Sequence, residues 1–507
     1  RPSAASAVPI AVRQTLSVAG VALTEILASR TFRLVLAVAV IMVFAFGWDV
    51  GSIVFDTSTW PLTHLVASVM RGPAAMTVVV LIAVYAGELV WRERDVRVAS
   101  MADTTPVATW VPLAGKFLAL IGMLLVLQTT FLVSGVLLQI VRGYYVFELG
   151  LYVKFLFGFL LATYVLFAAL AMAAHVIVDR KHLGHIVVAL FFAFFIFAIE
   201  SDLTHNLLRY GSDPGWIYSD MNGFGPFVAP FVSFKLYWAA WALLLGVFAV
   251  LLYVRGTESG WRQRVAEARM RMTGGVMRAA VVAAVLVVAL GGFIFYNTNV
   301  LNDYRTDDEA NAAAAVYEKT FGIYRDLPQP VIVSATLNIE IHPERGAVDL
   351  RGTYWMVNRS DTVIKSVHVL APRSVDVRSL QFELGPRVRP ASLRLQDTRH
   401  HQYRVYRLET LFAPGDTMRL TFDHRFERRG FPNSGINTSV AENGAYFDRN
   451  WLPRIGYQES WELTDVYERK QRGLPARSAP KLDDPRGKNQ RYESRDADVV
   501  SADAVIG

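Results

Sequence analysis

Apolar residues form long, nearly unbroken runs between residues 31 and 296, and they alternate with polar residues after Pro330. A membrane-spanning helix needs about 20 consecutive, mostly apolar residues. Runs of that kind predict seven spans, at 31–48, 73–91, 112–140, 151–178, 184–200, 235–254 and 278–296. The pattern therefore predicts a polytopic α-helical membrane domain that is followed by a domain of another class.

The region after Pro330 is predicted to consist of strands, because every second residue of VIVSATLNIEI is apolar. One face of this first strand is expected to carry Val331, Val333, Ala335, Leu337, Ile339 and Ile341. Turns such as PERG, NRSD and APGD separate later alternating segments, among them TMRLTFDHRF. Short strands between regular turns predict an external all-β antiparallel sandwich, and the final VVSADAVIG looks like a truncated strand.

A short helix is predicted between the two regions. Thr306 is followed by three acidic residues, which suit the positive end of a helix dipole, and Pro328 ends the pattern. The predicted organisation has five segments: an N-terminal cytoplasmic segment (1–30), a permease-like membrane domain (31–296), an external stalk helix and linker (297–330), a β-sandwich (331–470), and a polar loop with the truncated strand (471–507).

Lysine and arginine predict the orientation, since they accumulate in cytoplasmic segments. With the N-terminus inside, the inside segments carry Arg13, Arg30, Arg33, Arg92, Arg94, Arg97, Arg180, Lys181, Arg255, Arg262, Arg264, Arg269 and Arg271. The outside loops between spans carry Arg71, Arg142 and Arg209. Seven spans then place residues 297–507 on the outer side of the membrane.

Composition agrees with a membrane protein and excludes several kinds of chemistry. Of the 507 residues, 53% are hydrophobic and 19% charged, and there is no cysteine, so disulfides and thiol nucleophiles are excluded. The net charge of +7 lies largely in residues that flank the spans, so we expect a lipid bilayer as partner and no nucleic acid. The sequence contains no phosphate-binding Gly-x-x-x-x-Gly-Lys-Ser/Thr motif, so ATP would act through a partner subunit.

Several polar side chains fall within predicted spans, where ionisable groups are costly. Glu88, His175 and Glu200 lie near span ends, where an interfacial position and a role in transport are both open. Gln128 and Gln139 are expected to hydrogen-bond between helices. His182 and His185 are three residues apart, which suits an interfacial anchor pair better than a metal site, since no third ligand is near.

Two stretches resemble known families. The first, GELVWRERDVRVASMADTTPVATWVPLAGKFLAL, runs from Gly87 to Leu120. It resembles the cytoplasmic turn between the second and third spans of ABC-2-type transporter permeases, in particular bacterial ones continued by an external M1-aminopeptidase-like region. The resemblance implies a bacterial inner membrane protein with a periplasmic or extracellular C-terminal half. It also implies that a separate ABC ATPase subunit docks on Arg92, Glu93, Arg94, Asp95 and Asp103.

The second stretch is FDRNWLPRIGYQ, which resembles the Arg-x-x-Phe-Pro-Cys-x-Asp-Glu-Pro segment of the M1 (gluzincin) family, with Arg449, Leu452 and Pro453 in step. The strands of residues 331–461 resemble the N-terminal β domain of that family. The acidic pair, the Gly-x-Met-Glu-Asn loop and the His-Glu-x-x-His zinc helix of the family are missing from this sequence. We therefore expect Trp451 and Pro453 to pack at a domain junction and Arg449 to form a structural ion pair.

The first functional hypothesis is a permease subunit of an ABC-2-type transporter with an external M1-like β domain, working with a partner ATPase and with a second permease half or a second copy. The alternative is the N-terminal part of a membrane-anchored M1-type zinc aminopeptidase whose catalytic domain, with its zinc, lies beyond residue 507. A binding module on a membrane anchor is a third class, which seven spans disfavour. No residue of this chain is assigned a catalytic, cofactor-binding or metal-binding role.

Overall fold

The computed structural model describes residues 4–50, 56–99, 101, 104–178, 180–197, 203–255, 260–371, 374–384, 392–397, 402–447, 451–477 and 497–507. The chain separates into two compact units. The helical unit comprises Arg1–Asp213 and Pro230–Tyr296, and the β unit comprises Pro214–Ala229 and Asn297–Gly507. Asp103, Glu200 and Arg449, which carry predicted roles, lie outside the described residues.

The regular elements described in the first part of the chain are helices. Its helices are α1 (Ala4–Ala28), α2 (Arg30–Gly47), α3 (Thr63–Asp95), α4 (Trp110–Val141), α5 (Leu149–Val178), α6 (Lys181–Phe197), α7 (Gly225–Leu252), α8 (Trp261–Arg271) and α9 (Gly274–Phe295). Residues Lys154–Leu160 of α5 form a π-helical segment. Long apolar helices suit a bilayer because every backbone polar group is bonded within the helix.

Seven helices of the described chain are long and apolar enough to cross a membrane, and six of them coincide with predicted spans. The seventh is Ile10–Ala28, within the segment predicted to be cytoplasmic, while the predicted span 184–200 corresponds to the shorter apolar stretch Lys181–Phe194. Helix α1 escaped prediction because Arg13, Glu25 and several small polar residues dilute its hydropathy. The predicted orientation of the chain stays a prediction.

Helix α1 packs closely along α4 through small residues. A Cβ atom added to Gly115 of α4 would lie 2.7 Å from the side chain of Val18. Thr15 and Ile26 of α1 are buried, whereas Leu16 and Val21 are exposed. The helix therefore has one apolar face against its neighbour and another that is uncovered.

Polar side chains join helices inside this unit at one of the two expected positions. The Gln139 amide donates to the Pro61 carbonyl over 2.9 Å and accepts from the Tyr152 hydroxyl over 3.1 Å, which confirms its role as a link. Gln128 is buried, but neither polar atom of its side chain has a hydrogen-bond partner among the described residues. The prediction is therefore wrong for Gln128.

The described part of the β unit includes the predicted stalk helix, α10 (Asp307–Phe321), and a second helix, α11 (Val466–Gln471). Thr306 and Glu309 form a reciprocal capping box at the start of α10, which confirms the predicted helix start. The strands are β1 (Val331–His342), β2 (Ala347–Val357), β3 (Ile364–Ala371), β4 (Val375–Leu384), β5 (Ser392–Asp397), β6 (Gln402–Phe412), β7 (Thr417–Glu427), β8 (Val440–Ala441), β9 (Gly444–Ala445), β10 (Arg454–Ile455) and β11 (Ala497–Ile506).

The strands form two main sheets that enclose one core. The five-stranded sheet has the order β11-β1-β2-β7-β4, the four-stranded sheet has the order β10-β3-β6-β5, and β8 and β9 form a small hairpin. Side chains from both sheets, including Leu350, Phe422 and Val369, meet in the core. Helix α10 covers the other face of the four-stranded sheet, where Tyr317 and Phe321 pack on Tyr403.

The prediction of a purely antiparallel sandwich is wrong at one edge. The final strand, β11, pairs with β1 in parallel, from Ile332 opposite Ala497 to Ile339 opposite Ile506. A parallel partner needs a long connection rather than a hairpin, and local sequence pattern carries no information about such a distant pairing. The sheets are therefore mixed.

Within β1 an irregularity changes which residues face inward. The register shifts between Ile332 and Ser334, as at a β-bulge. Ala335, Leu337 and Ile339 are buried as predicted, but before the shift Ile332 is buried in place of Val331 and Val333. In β7, Met418, Leu420, Phe422 and His424 are all buried, which confirms the predicted alternation of that strand.

A buried ion pair connects α10 to α11. Arg469 donates two hydrogen bonds of 2.7 Å to the two carboxylate oxygens of Glu318, and a third to the Leu463 carbonyl over 2.6 Å. Both charged side chains are almost fully buried. Bidentate geometry and further hydrogen bonds are what make such a buried pair tolerable in a protein interior.

His368 belongs to β3, its ring packs against Tyr324 and Tyr403, and only 1% of its surface is exposed. Its Nδ1 is 2.9 Å from the Tyr403 hydroxyl and its Nε2 is 3.2 Å from the Ser366 hydroxyl. Burial lowers the pKa of His368 from 6.5 to about 4. The folded protein therefore holds this imidazole neutral at pH values where the unfolded chain binds a proton.

The stability of the β unit is accordingly expected to fall as the pH drops from about 6.5 to about 4, since only the unfolded state takes up a proton over this range. His368→Gln keeps hydrogen-bonding groups but does not titrate, so its stability is expected to depend less on pH across this window. Thermal unfolding of the full chain in detergent, measured at several pH values, tests this. His182→Gln, at an exposed position of α6, is the control. Stability that depended equally on pH in the unaltered chain, His368→Gln and His182→Gln would contradict the prediction.

Candidate functional site

The charged end of α3 is joined to neighbouring helices by ion pairs. Arg92 lies 2.7 Å from the Glu25 carboxylate of α1. Asp95 lies 2.6 Å from the Lys181 ammonium of α6, which is also 3.3 Å from Glu88. These pairs are half-exposed, so each contributes at most about 1 kcal/mol, and their main effect is to fix where the side chains lie.

The two central residues of this charged run are more deeply placed. Glu93 accepts a 2.8 Å hydrogen bond from Lys116 of α4, whose side chain is only 5% exposed. The Arg94 guanidinium lies 4.9 Å from the centre of the Trp91 ring and donates to the Val254 carbonyl over 3.3 Å. Four consecutive residues thus bind α3 to α1, α4, α6 and the segment after α7.

Arginines of the segment after α7 donate hydrogen bonds to backbone carbonyls of three other chain segments. The last carbonyls of a helix have no partner within the helix and attract cations. The buried Arg264 of α8 donates to Val176, near the end of α5, over 2.9 Å, and to Leu252, at the end of α7, over 2.6 Å. Arg255 donates to the carbonyls of Thr105 and Val107 over 3.0 and 2.7 Å. Helix α8 and the loop before α4 are thereby fixed to the helix ends.

We call residues 92–95, 104–110 and 261–271 the docking end of the helical unit. The predicted ATPase-docking residues Arg92, Glu93, Arg94 and Asp95 come together there, and the structure adds Lys116 and the arginines after α7. Arg97, just beyond α3, has a positive φ of 60°, which is uncommon for a residue with a side chain and marks a sharp turn.

A histidine pair lies beside the docking end. His175 of α5 has no exposed surface, and its ring centre is 4.6 Å from that of His185. The structure therefore pairs His185 with His175 and leaves His182 exposed, which differs from the predicted pair of His182 and His185. A Cβ atom at Gly184 would lie 2.2 Å from His175 Nδ1, so this site requires glycine there.

Among the residues that the structure describes, no group of three or more histidine, aspartate or glutamate side chains could hold a metal ion. The histidine pair by itself contributes only two ligands. The acidic residues Glu88 and Asp95 are both bound to Lys181. We assign it no metal.

In the β unit, the predicted segment around Trp451 belongs to the core. The Trp451 ring stacks on Phe426 with centres 5.3 Å apart, and its carbonyl accepts from His424 Nδ1 over 3.1 Å. Pro453 is also buried. The exposed face of the five-stranded sheet carries charges instead, such as Asp349, whose pKa the Arg425 and Arg378 guanidinium groups lower although burial acts to raise it.

No protein-family model matches this chain, and no curated protein matches it. Comparison with solved structures finds a weak similarity of low coverage to M1 zinc metallopeptidases. The M1 zinc metallopeptidase from Deinococcus radiodurans is 15% identical, with a TM-score of 0.16, over 20% of this chain and 21% of that one. Native leukotriene A4 hydrolase from Saccharomyces cerevisiae is 12% identical, with a TM-score of 0.16, over 20% of this chain and 15% of that one. The chain thus matches a small part of either protein, and similarity at this level carries no argument about activity.

Sequence reasoning missed the roles of Arg255, Arg264 and Lys116. A basic residue after an apolar run is explained by topology alone, so Arg255 and Arg264 predict only the orientation of the chain. The sequence feature that indicates this role of the arginines is a basic segment directly after a helix, because the last carbonyls of a helix have no partner within it. The pairing of His175 with His185 had no local signal, since it depends on how α5 and α6 pack.

Proposed function

We propose that this chain is the membrane permease subunit of an ABC-2-type transporter that carries an external M1-aminopeptidase-like β domain. It would move or extract a substrate when a separate ABC ATPase subunit, which binds and hydrolyses ATP, closes on the docking end. The observation that supports this best is the set of bonds that joins the charged end of α3 to four other parts of the helical unit. Movement of the charged end of α3 would therefore move several helices together.

The docking end suits a protein partner in two respects. Its interior charges are paired or bonded to carbonyls, so binding there does not require the surface to rearrange. Its rim keeps exposed groups available, among them Arg97, Met101 and Arg262. A mixed surface of basic and apolar groups on an ordered base is suited to specific docking.

Transport would follow from a population shift between two arrangements of the helices. A partner can move such an equilibrium only by binding one arrangement more tightly than the other. ATP-driven closure of the ATPase would provide that difference in affinity at the docking end. Seven helices of spanning length are also more than a simple anchor for the β unit requires.

The experiment is reconstitution of the full chain in liposomes with candidate ABC ATPase subunits from the same genome. The double variant Arg97→Glu/Met101→Asp changes exposed groups at the rim of the docking end, and Arg30→Glu, an exposed residue at the start of α2, is the control. We expect the double variant to lower both ATPase capture and stimulated ATP hydrolysis by about 5- to 150-fold, which corresponds to a loss of about 1–3 kcal/mol at the interface.

Two outcomes would overturn the proposal. One is that no ABC ATPase binds the chain in mild detergent or stimulates hydrolysis in liposomes. The other is that the longest natural form of the protein contains one zinc ion and has aminopeptidase activity while no ATPase binds, which would favour the membrane-anchored peptidase.

A further inference from the structure

An open groove of about 810 Å³ lies between four helices of the helical unit. Its walls are formed by the start of α4, the middle of α5, the second half of α7 and the start of α9. Small side chains predominate in the lining, among them Ala114, Ala169, Ala173, Ala242, Gly246 and Ala279. The volume lies in the range of about 300–1,000 Å³ that is typical of ligand sites.

Small residues in membrane helices normally allow two helices to pack closely. Here they border a groove, because α9 stands largely apart from the bundle: only Ala283 and Ile294 of that helix are buried. All four wall helices are of spanning length, so the groove opens toward hydrocarbon rather than water. Something apolar must fill it, since empty space of this size forfeits packing contacts.

The groove ends at a strongly basic segment. Thr273 and Val276 line it, and residues 261–280 contain five arginines against one glutamate, Glu267. Arg271 is bound to Glu267 over 2.7 Å. Arg269 and Arg278 are exposed, and neither has an acidic partner among the described residues. Arg278 directly precedes the groove residue Ala279, and Arg269 lies four residues before Thr273, so exposed positive charge adjoins the groove lining in sequence.

We propose that this groove binds an acyl chain of an anionic phospholipid from the bilayer, with the lipid phosphate held by Arg269 and Arg278. The groove accepts the apolar chain, and the arginines select the headgroup, as guanidinium groups pair well with phosphate. This site goes beyond the proposed transport function, because lipid binding requires neither ATP nor a partner subunit. It distinguishes anionic from zwitterionic lipids at the leaflet that meets α8.

The test measures lipid binding to the purified full chain by native mass spectrometry, with palmitoyl-oleoyl phosphatidylglycerol and phosphatidylcholine as probes. Gly246→Phe puts a ring into the groove, and a Cβ atom at Gly246 meets nothing within 4 Å, so the backbone accommodates it. The matched control is Gly292→Phe in α9, where a Cβ atom also meets nothing within 4 Å but which does not line the groove. We expect Gly246→Phe to weaken phosphatidylglycerol binding about tenfold and Gly292→Phe to leave it unchanged.

The charge requirement is tested separately with Arg269→Gln/Arg278→Gln. Each arginine near a membrane surface contributes about 1 kcal/mol toward anionic lipid, so the double variant is expected to lose at least about tenfold in preference for phosphatidylglycerol over phosphatidylcholine. Arg13→Gln/Arg30→Gln removes two other arginines of the predicted inner side and is the control. Comparison of these two double variants tests whether Arg269 and Arg278 select anionic lipid, even if Gly246→Phe fails to fold.

Three results would overturn the proposal: equal binding of the two lipids to the unaltered chain, unchanged phosphatidylglycerol binding to Gly246→Phe, or a lipid-free dimer in which a second copy covers the groove. Because the assay contains no ATPase, its failure leaves the transport proposal standing. The converse also holds, since lipid selectivity can be observed with a chain that binds no ATPase.

Discussion

Replacing Arg469 by leucine is expected to lower the free energy of unfolding of the β unit by about 3–5 kcal/mol, because it leaves the buried Glu318 carboxylate with only a more distant cation, Arg325 at 3.7 Å. The carboxylate accepts both guanidinium hydrogen bonds of Arg469, and little water reaches the site. The Leu463 carbonyl also loses its donor. For a unit of this size the loss corresponds to a decrease in Tm of about 6–20 °C, which calorimetry of the full chain measures.

Two further variants separate loss of charge pairing from loss of packing. Glu318→Leu/Arg469→Leu removes both charges and is expected to recover most of the stability, since apolar replacement of a whole buried pair is often neutral. Arg351→Leu breaks an exposed pair with Asp423 and should change stability by less than about 1 kcal/mol. If the Arg469 variant unfolded at the same temperature as the Arg351 variant, the buried pair would contribute no more to the free energy of unfolding than an exposed pair does.

Replacing Trp451 by alanine is expected to lower the free energy of unfolding of the β unit by about 3–5 kcal/mol. Trp451 is 2% exposed, stacks on Phe426, and meets Phe447 edge to face. Removing the indole leaves a cavity that the two sheets cannot close, because strands from both contribute to the same core. Chemical denaturation followed by Phe and Tyr fluorescence, or by circular dichroism, measures the change.

Trp451→Phe keeps an aromatic ring at this position and is expected to cost less than half as much as alanine. Trp355→Ala, on β2, removes an indole that is 45% exposed and is the matched control, with an expected loss of about 1 kcal/mol or less. Equal losses for Trp451→Ala and Trp355→Ala would mean that the segment around Trp451 is peripheral to the core.

Local pattern predicted the helices and strands well where one residue period continued without interruption. The capping box at Thr306 and the alternation in β7 depend on neighbours in sequence, and both were readable from it. Helix α1 was missed because its polar residues dilute its hydropathy, although Gly115 lets it pack against α4. The bulge in β1 was also missed, since a register shift leaves no mark in the alternation of apolar residues.

The candidate site was predicted only in outline. The charged run from Arg92 to Asp95 stood out, but the identity of its partners depends on which helices adjoin, and that is a property of packing. Lys116 belongs to the stretch that resembles ABC-2-type permeases, but its burial against Glu93 appears only when α3 and α4 lie side by side. The groove beside α9 likewise arises from an unoccupied space between helices, and sequence periodicity does not record such spaces.

The parallel pairing of β1 with β11 has a consequence for the order in which the β unit can be assembled during synthesis. After His342 emerges from the ribosome, another 155 residues must follow before Ala497 is available, as the numbering of the two strands gives 497 − 342 = 155. At a synthesis rate of about 5–20 residues per second, this interval lasts about 8–30 seconds. During that time β1 has an unpaired edge with an alternating apolar face, the kind of strand that invites contact with other chains. A chaperone that protects newly made β1 until β11 arrives would therefore have a defined period in which to act.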